Sequence, residues 1–430
     1  MKEQTIQEKL AKKKYKKPNP LLWHFLMNVV IRPFLAKKYN SVIHKEANIK
    51  DCKGPCFVVY NHQSRIDYVW IARCCAPRPI NFVVGYNEFF RSHLAFILRL
   101  VNAIPKKNFN IDFASMRAMD SIIKQNGVVC FSPEGMSSIS GHNQPVVDGT
   151  GKFLKHYDIP VYIVKNKGAF LTNTKVCLDE RKGLVDSTIS LLFSKENLRE
   201  MSATEIQNKL DEALWQDDYE WNKTARIKYE TKGRICEHLS DLLYRCPKCG
   251  HEFEMESGGD TIRCKHCGND AKMNDYYDFL PLSKDAVIPV SPSRWFDEER
   301  RAVYQEIKDN PSFSFTEKVN VGKLDDYHFI KDQKTSEPCG EGEITITHEG
   351  FFFNGIKDGK SWHWKLHWQE LPTFGMPVDA TYISLYVEGK YYDVFPQRPA
   401  VGKILLLVEE MGRLHTENWK NFPWLDWIYQ

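Results

Sequence analysis

Cys56-Phe57-Val58-Val59-Tyr60-Asn61-His62-Gln63-Ser64-Arg65-Ile66-Asp67 is the stretch from which the architecture of this chain can be read. Its first five residues are apolar and rich in β-branching, the composition of a short strand buried on both faces. After Tyr60 the chain turns polar, so His62 emerges at a strand end, where ligands bind in sheets covered by helices. An imidazole there can accept a proton near neutral pH, and a carboxylate five residues on, Asp67, can fix its tautomer and raise its basicity. Taken alone, the pair also fits a strand-end histidine with Asp67 opening the next helix. As chemistry it is a general base with an orienting carboxylate, and it needs no serine or cysteine nucleophile.

Asn61-His62-Gln63-Ser64-Arg65-Ile66-Asp67 resembles the N-H-x-S-x-x-D signature of the glycerolipid acyltransferases, especially the 1-acylglycerol-3-phosphate acyltransferases. Phe131-Ser132-Pro133-Glu134-Gly135 is similar to the family's F-P-E-G block, which closes around the acceptor's phosphate, and Ile159-Pro160-Val161 to its late I-P-V block. Between them, Ile104-Pro105-Lys106-Lys107 stands where the family places an apolar residue, a proline and soon an arginine. After Gly135 the family continues with threonine and arginine; this chain has Met136-Ser137-Ser138, one cationic phosphate ligand fewer. The resemblance covers roughly residues 20 to 195. It implies transfer of a fatty acyl group from an acyl-ACP or acyl-CoA thioester to the free hydroxyl of lysophosphatidate, giving phosphatidate, with His62 as base and Asp67 as its orienting partner. Lys106, Lys107, Glu134 and Gly135 are then the candidate substrate-binding residues, joined by Ser64 and Arg65 in the surrounding polar network.

Such a reaction needs a base for the hydroxyl proton, and cations or backbone amides for the phosphate. Gly135, following the strand-like Val128-Val129-Cys130-Phe131, can present amides to an anion or simply turn the chain. Lys106 and Lys107 bring charge without arginine's planar fork, enough to neutralise a phosphate, and equally suit a solvated surface pair.

From residue 56 to 193 strand-like runs at 56–60, 80–84, 127–132, 160–164 and 187–193 alternate with helix-like segments, including 113–125 and 152–157. That alternation predicts an α/β fold, a glycerolphosphate-acyltransferase-like sheet covered by helices. Ser202 and Glu205 form a capping box opening an amphipathic helix that ends near Leu214.

The chain's 430 residues and net charge of +4 suit two or three domains with a modest basic excess. The first 20 residues hold seven lysines against Glu3 and Glu8, which suits an anionic membrane surface and argues against specific nucleic-acid reading. The apolar run Leu21 to Ile31, stopped by Arg32-Pro33, is too short to span a bilayer, which takes about 20 residues, and reads as an interfacial helix. His24 and Asn28, without a small-residue cleavage site, argue against a signal peptide. Leu94 to Val101 reads as a core helix, with a membrane-facing surface as its alternative. Together these features predict a peripheral protein on the cytoplasmic face of the cell membrane.

Cys246-Pro247-Lys248-Cys249-Gly250 is answered by Cys264-Lys265-His266-Cys267-Gly268. Two C-x-x-C-G knuckles offer four thiolates, Cys246, Cys249, Cys264 and Cys267, in tetrahedral reach of one metal. The arrangement resembles a zinc ribbon, so the cofactor is a structural Zn2+, preferred over iron or a redox dithiol, and four ligands leave no open position for catalysis. The other eight cysteines lack a disulfide-scaffold pattern, which fits a reducing cytoplasm.

Beyond Pro281 come a linker, a helix from Trp295 to Ile307, and strand candidates at 343–347, 350–354, 361–368, 382–388 and 391–395, closed by a helix over 401–415. This pattern resembles a pleckstrin-homology-like or GRAM-like module, in which Trp362, Trp364, Trp368, Trp419, Trp424 and Trp427 serve packing. The expected organisation is a basic tail and interfacial helix (1–40), the acyltransferase-like domain (41–235), the ribbon (236–280) and the linker, helix and β-rich domain (281–430). A second function class is an interaction protein that binds nucleic acid or a protein partner through the ribbon and β-rich domain; the joint presence of His62, Asp67, Glu134 and Gly135 favours the enzyme.

Overall fold

Strands β1 (Ser41–Lys45), β2 (Cys56–Tyr60), β3 (Asn81–Gly85), β4 (Ile104–Lys106), β5 (Val128–Phe131), β6 (Val161–Lys167) and β7 (Val185–Phe193) form one sheet in the order β1-β7-β6-β2-β5-β3-β4. The structure is a computed structural model and describes residues 3–110, 112–331 and 335–417. Strands β2 to β6 run parallel, while β7 lies antiparallel to β6 and parallel to β1. The ends of β2, β3, β4 and β5 therefore all deliver their following loops to one edge of the sheet.

Every residue of β2 is buried, because both faces of the sheet are covered. Phe57 and Val59 pack with Ala118, Met119 and Ile122 of the helix Phe113–Lys124 and with Ile206, Leu210 and Leu214 of the helix Ala203–Leu214. Cys56, Val58 and Tyr60 face the other way, against Ile71, Cys74 and Cys75 of the helix Tyr68–Cys75 and against Trp23 and Met27. This is the period-two alternation of a strand with apolar residues on both sides. The Ser202–Glu205 capping box is present.

Two expectations for the apolar runs of the N-terminal part are corrected. Arg32-Pro33 does not stop the apolar helix: after Pro20–Phe25 the chain continues as a π-helix, Leu26–Leu35, through Pro33. The wider turn shifts the hydrogen-bond pattern to i→i−5 (Ala36 N–H donates to the Ile31 carbonyl), so the proline is carried inside it. The run at 94–101 lies in the helix Ser92–Leu100, which is not a core helix; only Ala95 is buried, and Phe96 and Ile97 are exposed. Strands β1 and β4 were not legible, β1 because it is a half-exposed, partly polar edge and β4 because it has three residues with a central proline.

Strands β8 (Met255–Gly258), β9 (Thr261–Cys264), β10 (Asp270–Met273) and β11 (Phe279–Pro281) form a small antiparallel sheet. After the helix Pro292–Asp309, strands β12 (Ser314–Lys323), β13 (Glu337–Thr347), β14 (Gly350–Lys357), β15 (Lys360–Leu366), β16 (Ile383–Val387) and β17 (Lys390–Pro396) make a six-stranded antiparallel sheet in the order β15-β14-β13-β12-β17-β16, followed by the helix Val401–His415. Trp364 stacks on Phe351 and Phe353, and Trp368 is buried, so these tryptophans serve packing. Trp419, Trp424 and Trp427 lie outside the described residues. One hydrophobic cluster runs through the ribbon and the C-terminal sheet and takes in Met136, Ile139, Phe170 and Leu171 of the first domain.

Candidate active site

Asn61 ties the end of β2 to its neighbour: its side chain donates to the Asn166 carbonyl at 2.8 Å and accepts from the Asn166 N–H at 2.7 Å. The next residue, His62, places Nδ1 2.8 Å from Asp67 Oδ2. A carboxylate can only accept, so Nδ1 carries the proton and Nε2 is the basic nitrogen. The His62 side chain is 28% exposed and that of Asp67 is 3% exposed, so the base reaches solvent and its anchor does not. Among the described residues, Nε2 has no hydrogen-bond partner. Asp67 precedes the helix Tyr68–Cys75 but makes no capping bond to it. It accepts instead from His62 Nδ1, the Ser64 N–H at 3.0 Å and the indole N–H of Trp70 at 3.2 Å. Trp70 went unnoticed in the sequence, although its position one turn beyond Asp67 puts the two on one helical face.

Glu134 does not sit where a substrate ligand would. It is buried, its Oε1 accepts from the His62 N–H at 2.8 Å and from Asn143 Nδ2 at 2.9 Å, and its Oε2 accepts from the Gln144 N–H at 2.9 Å. Burial pushes its carboxyl up to about 8 against the pull of those three donors. Glu134 therefore joins the loop after β5 to the loop after β2, and the Ser138 N–H donates to the His62 carbonyl at 2.6 Å to reinforce the joint.

Gly135 adopts φ +76°, and a Cβ there would meet the Phe109 ring at 2.8 Å, so both its conformation and its closeness to Phe109 require glycine. Asn108 Nδ2 donates to the Gly135 carbonyl at 2.6 Å, which brings the loop after β4 against the loop after β5. Lys106 ends β4 and Lys107 opens that loop. Burial lowers the pKa of Lys106, with Asp112 opposing. The Lys107 N–H donates to Asp112 at 2.9 Å, while its ammonium sits over the rings of Tyr86 and Tyr386. The two other candidates are engaged by neighbouring backbone groups. Ser64 is buried, with its hydroxyl accepting from the Ile66 N–H. Arg65 donates to the Leu178 carbonyl at 2.7 Å and lies near Glu180.

The four ribbon thiols also converge. All four sulfurs lie within 4.8 Å of one another, with Cys246–Cys267 at 3.6 Å and Cys249–Cys264 at 3.8 Å. A zinc ion with bonds of ~2.3 Å demands sulfur separations of about 3.8 Å in a tetrahedron, so the donor set fits. Gly250 and Gly268 close the two knuckles at φ +75° and +72°.

These features define an α/β domain with an acid–base pair at a strand end, followed by a thiol-rich metal-binding module. Residues 40–164 match the family model described as Acyltransferase, and residues 240–269 match a zinc-ribbon model described as DNA directed RNA polymerase, 7 kDa subunit. The chain thus carries an acyltransferase domain and a zinc ribbon, ahead of a β-rich C-terminal domain. Among solved structures, the 1-acyl-sn-glycerophosphate (LPA) acyltransferase of Thermotoga maritima is similar at 19% identity and a TM-score of 0.35, over 45% of this chain and 83% of that one. The Ran binding domain of Nup2 from Ashbya gossypii is similar at 12% identity and a TM-score of 0.18, over 25% of this chain and 99% of that one. No curated protein sequence matches the chain.

Proposed function

We propose that this protein is a peripheral membrane O-acyltransferase that moves a fatty acyl group from an acyl-ACP or acyl-CoA thioester to the free hydroxyl of lysophosphatidate, giving phosphatidate. The observation that carries this reading is the His62–Asp67 pair, with one imidazole nitrogen fixed by a buried carboxylate and the other open. The acceptor oxygen attacks the thioester carbonyl as Nε2 takes its proton, and Asp67 stabilises the resulting imidazolium. Collapse of the tetrahedral intermediate breaks the C–S bond, and Nε2 returns the proton to the leaving sulfur. Lys106, Lys107 and the backbone at Gly135 neutralise the acceptor's phosphate in this scheme.

The reading has the chain on the cytoplasmic face of the cell membrane. Supporting it, the helical segment 20–38 exposes Leu21, Phe25, Val29, Val30 and Phe34, directly after the lysine-rich start. Among the described residues no helix is long and apolar enough to cross a membrane. The Cys246, Cys249, Cys264 and Cys267 cluster would hold a structural zinc ion, which organises a module too small to fold on its own core. The test is incubation of the purified protein with a panel of lysolipids and both thioester types, with mass detection of products. Phosphatidate from lysophosphatidate is the expected result; no acylated product from any lysolipid with either donor refutes the reading.

A further inference from the structure

The edge strand β16 and the loop before it lie against the acyltransferase domain. The Val176 N–H donates to the Val378 carbonyl at 2.7 Å, and Lys175 Nζ donates to the Met376 and Pro377 carbonyls at 3.1 and 3.4 Å. At the other end of this contact, Arg91 pairs with Glu88 at 3.3 Å and lies within the electrostatic reach of Asp393 on β17. Between these anchors, Tyr386 of β16 reaches the loop after β4. The Lys107 ammonium lies 5.7 Å from the Tyr386 ring centre and 5.2 Å from that of Tyr86, within cation–π reach of one aromatic ring from each half of the chain. Among the described residues no carboxylate pairs with it, which leaves its charge available to an anion. The neighbouring Asn108 holds Gly135, the residue after Glu134, and Glu134 accepts from the His62 N–H. Lys107 is thus linked to the base through two hydrogen bonds and a short piece of chain.

We propose that Tyr386 is a positioning residue of the acceptor site: together with Tyr86, its ring fixes the Lys107 ammonium where the acceptor's phosphomonoester binds, so the headgroup site is built jointly by the acyltransferase and C-terminal domains. This rests on the acyltransferase reading. Lysine is a flexible point charge and fixes a phosphate's orientation poorly compared with arginine. Two aromatic faces restrict where that charge can lie, and attraction to the rings holds it there. The chain lacks an arginine after Gly135, where Met136-Ser137-Ser138 stands, and the aromatic pair around Lys107 supplies the missing orientation. A doubly charged phosphomonoester gains more from such a fixed cation than a phosphodiester headgroup does, so Tyr386 bears on acceptor choice.

The experiment is steady-state kinetics of the full chain with lysophosphatidate or lysophosphatidylcholine as acceptor, for the parent, Tyr386→Leu and Tyr386→Phe. Loss of the ring in Tyr386→Leu is expected to raise the KM for lysophosphatidate roughly threefold to tenfold and to lower the preference over lysophosphatidylcholine by the same factor, with kcat and the donor KM within about twofold. Tyr386→Phe keeps the ring and restores the parent KM. An unchanged acceptor KM in Tyr386→Leu overturns the proposal. So does a loss in Tyr386→Phe equal to that in Tyr386→Leu, or a joint change of kcat and both KM values, which marks a general structural defect. A parent protein that acylates no lysolipid of the panel overturns the acyltransferase reading and this proposal with it, whereas a parent active only on other lysolipids, or an active parent beside an unaffected Tyr386→Leu, overturns this proposal alone.

Discussion

The molecule contains two histidine–aspartate pairs with the same 2.8 Å separation: His62–Asp67 at the end of β2 and His142–Asp297 between the loop after β5 and the helix Pro292–Asp309. His62 meets one acceptor and keeps Nε2 free. His142 meets two, with Nε2 against Asp297 and Nδ1 against the Asn143 carbonyl at 3.0 Å, so both nitrogens must donate and the ring is a cation. Burial alone would lower its pKa, but Asp297 and then Asp217 outweigh that cost and hold it up to about 9. The ring also stacks on Trp215, and the pair is almost wholly buried. The difference is one of access: a contact of the same length leaves one nitrogen open in His62 and makes His142, with both nitrogens taken, an interdomain tie.

The largest separation between the pairs is expected from Asp67→Asn and Asp297→Asn. Asp67→Asn removes the carboxylate that fixes the His62 tautomer, and kcat should fall by a factor on the order of 10²–10⁴ with an unchanged circular dichroism spectrum. Asp297→Asn, assayed under conditions where it is fully folded, should keep kcat within a few-fold; a comparable collapse would mean that both pairs belong to the catalytic machinery.

Truncating Asp297 to alanine leaves a buried cation without its partner, and urea unfolding should show a loss of about 3–5 kcal/mol. Asp67→Ala has a partly exposed histidine to relax into solvent and should cost less. The reverse ranking would show the two environments to be misassigned.

The pH dependence follows from the same contrast. His142 has a folded pKa above its ordinary 6.5, so its contribution to stability is complete below pH 6.5 and is lost as the pH rises through about 9. Denaturant midpoints of the parent should therefore contain a decline across that window that His142→Gln lacks. An identical slope in the two proteins would remove the imidazolium from the account.

The smallest effect concerns Trp70. Trp70→Phe keeps the packing but removes one of three donors to Asp67, a net contribution of about 0.5–1.5 kcal/mol. Expressed in kcat that is about twofold to tenfold, and an unchanged kcat would show that His62 and Ser64 suffice to hold the carboxylate.

The two pairs also differ in how far they could be read from the chain. His62 and Asp67 are five residues apart at the end of a strand whose apolar run is unmistakable, so the strand and the histidine–aspartate contact are both legible. The four cysteines were legible for the same reason, because knuckle spacing is local. His142 and Asp297 stand 155 residues apart, and only the packing of two domains brings them together. Glu134 misled because its motif points to phosphate, while its oxygens are consumed by the His62, Asn143 and Gln144 donors. The helix Ser92–Leu100 misled because hydrophobicity does not reveal what covers a face: Phe96 and Ile97 remain exposed. Tyr386 was invisible because its partner, Lys107, lies on the other domain.

The central claim is that the open nitrogen of His62 takes the acceptor's proton. Its most direct measurement compares the parent and His62→Ala, purified alike, in transfer from a radiolabelled acyl thioester to lysophosphatidate. The account predicts labelled phosphatidate from the parent and essentially none from a folded His62→Ala. Equal phosphatidate formation by the two proteins would contradict it.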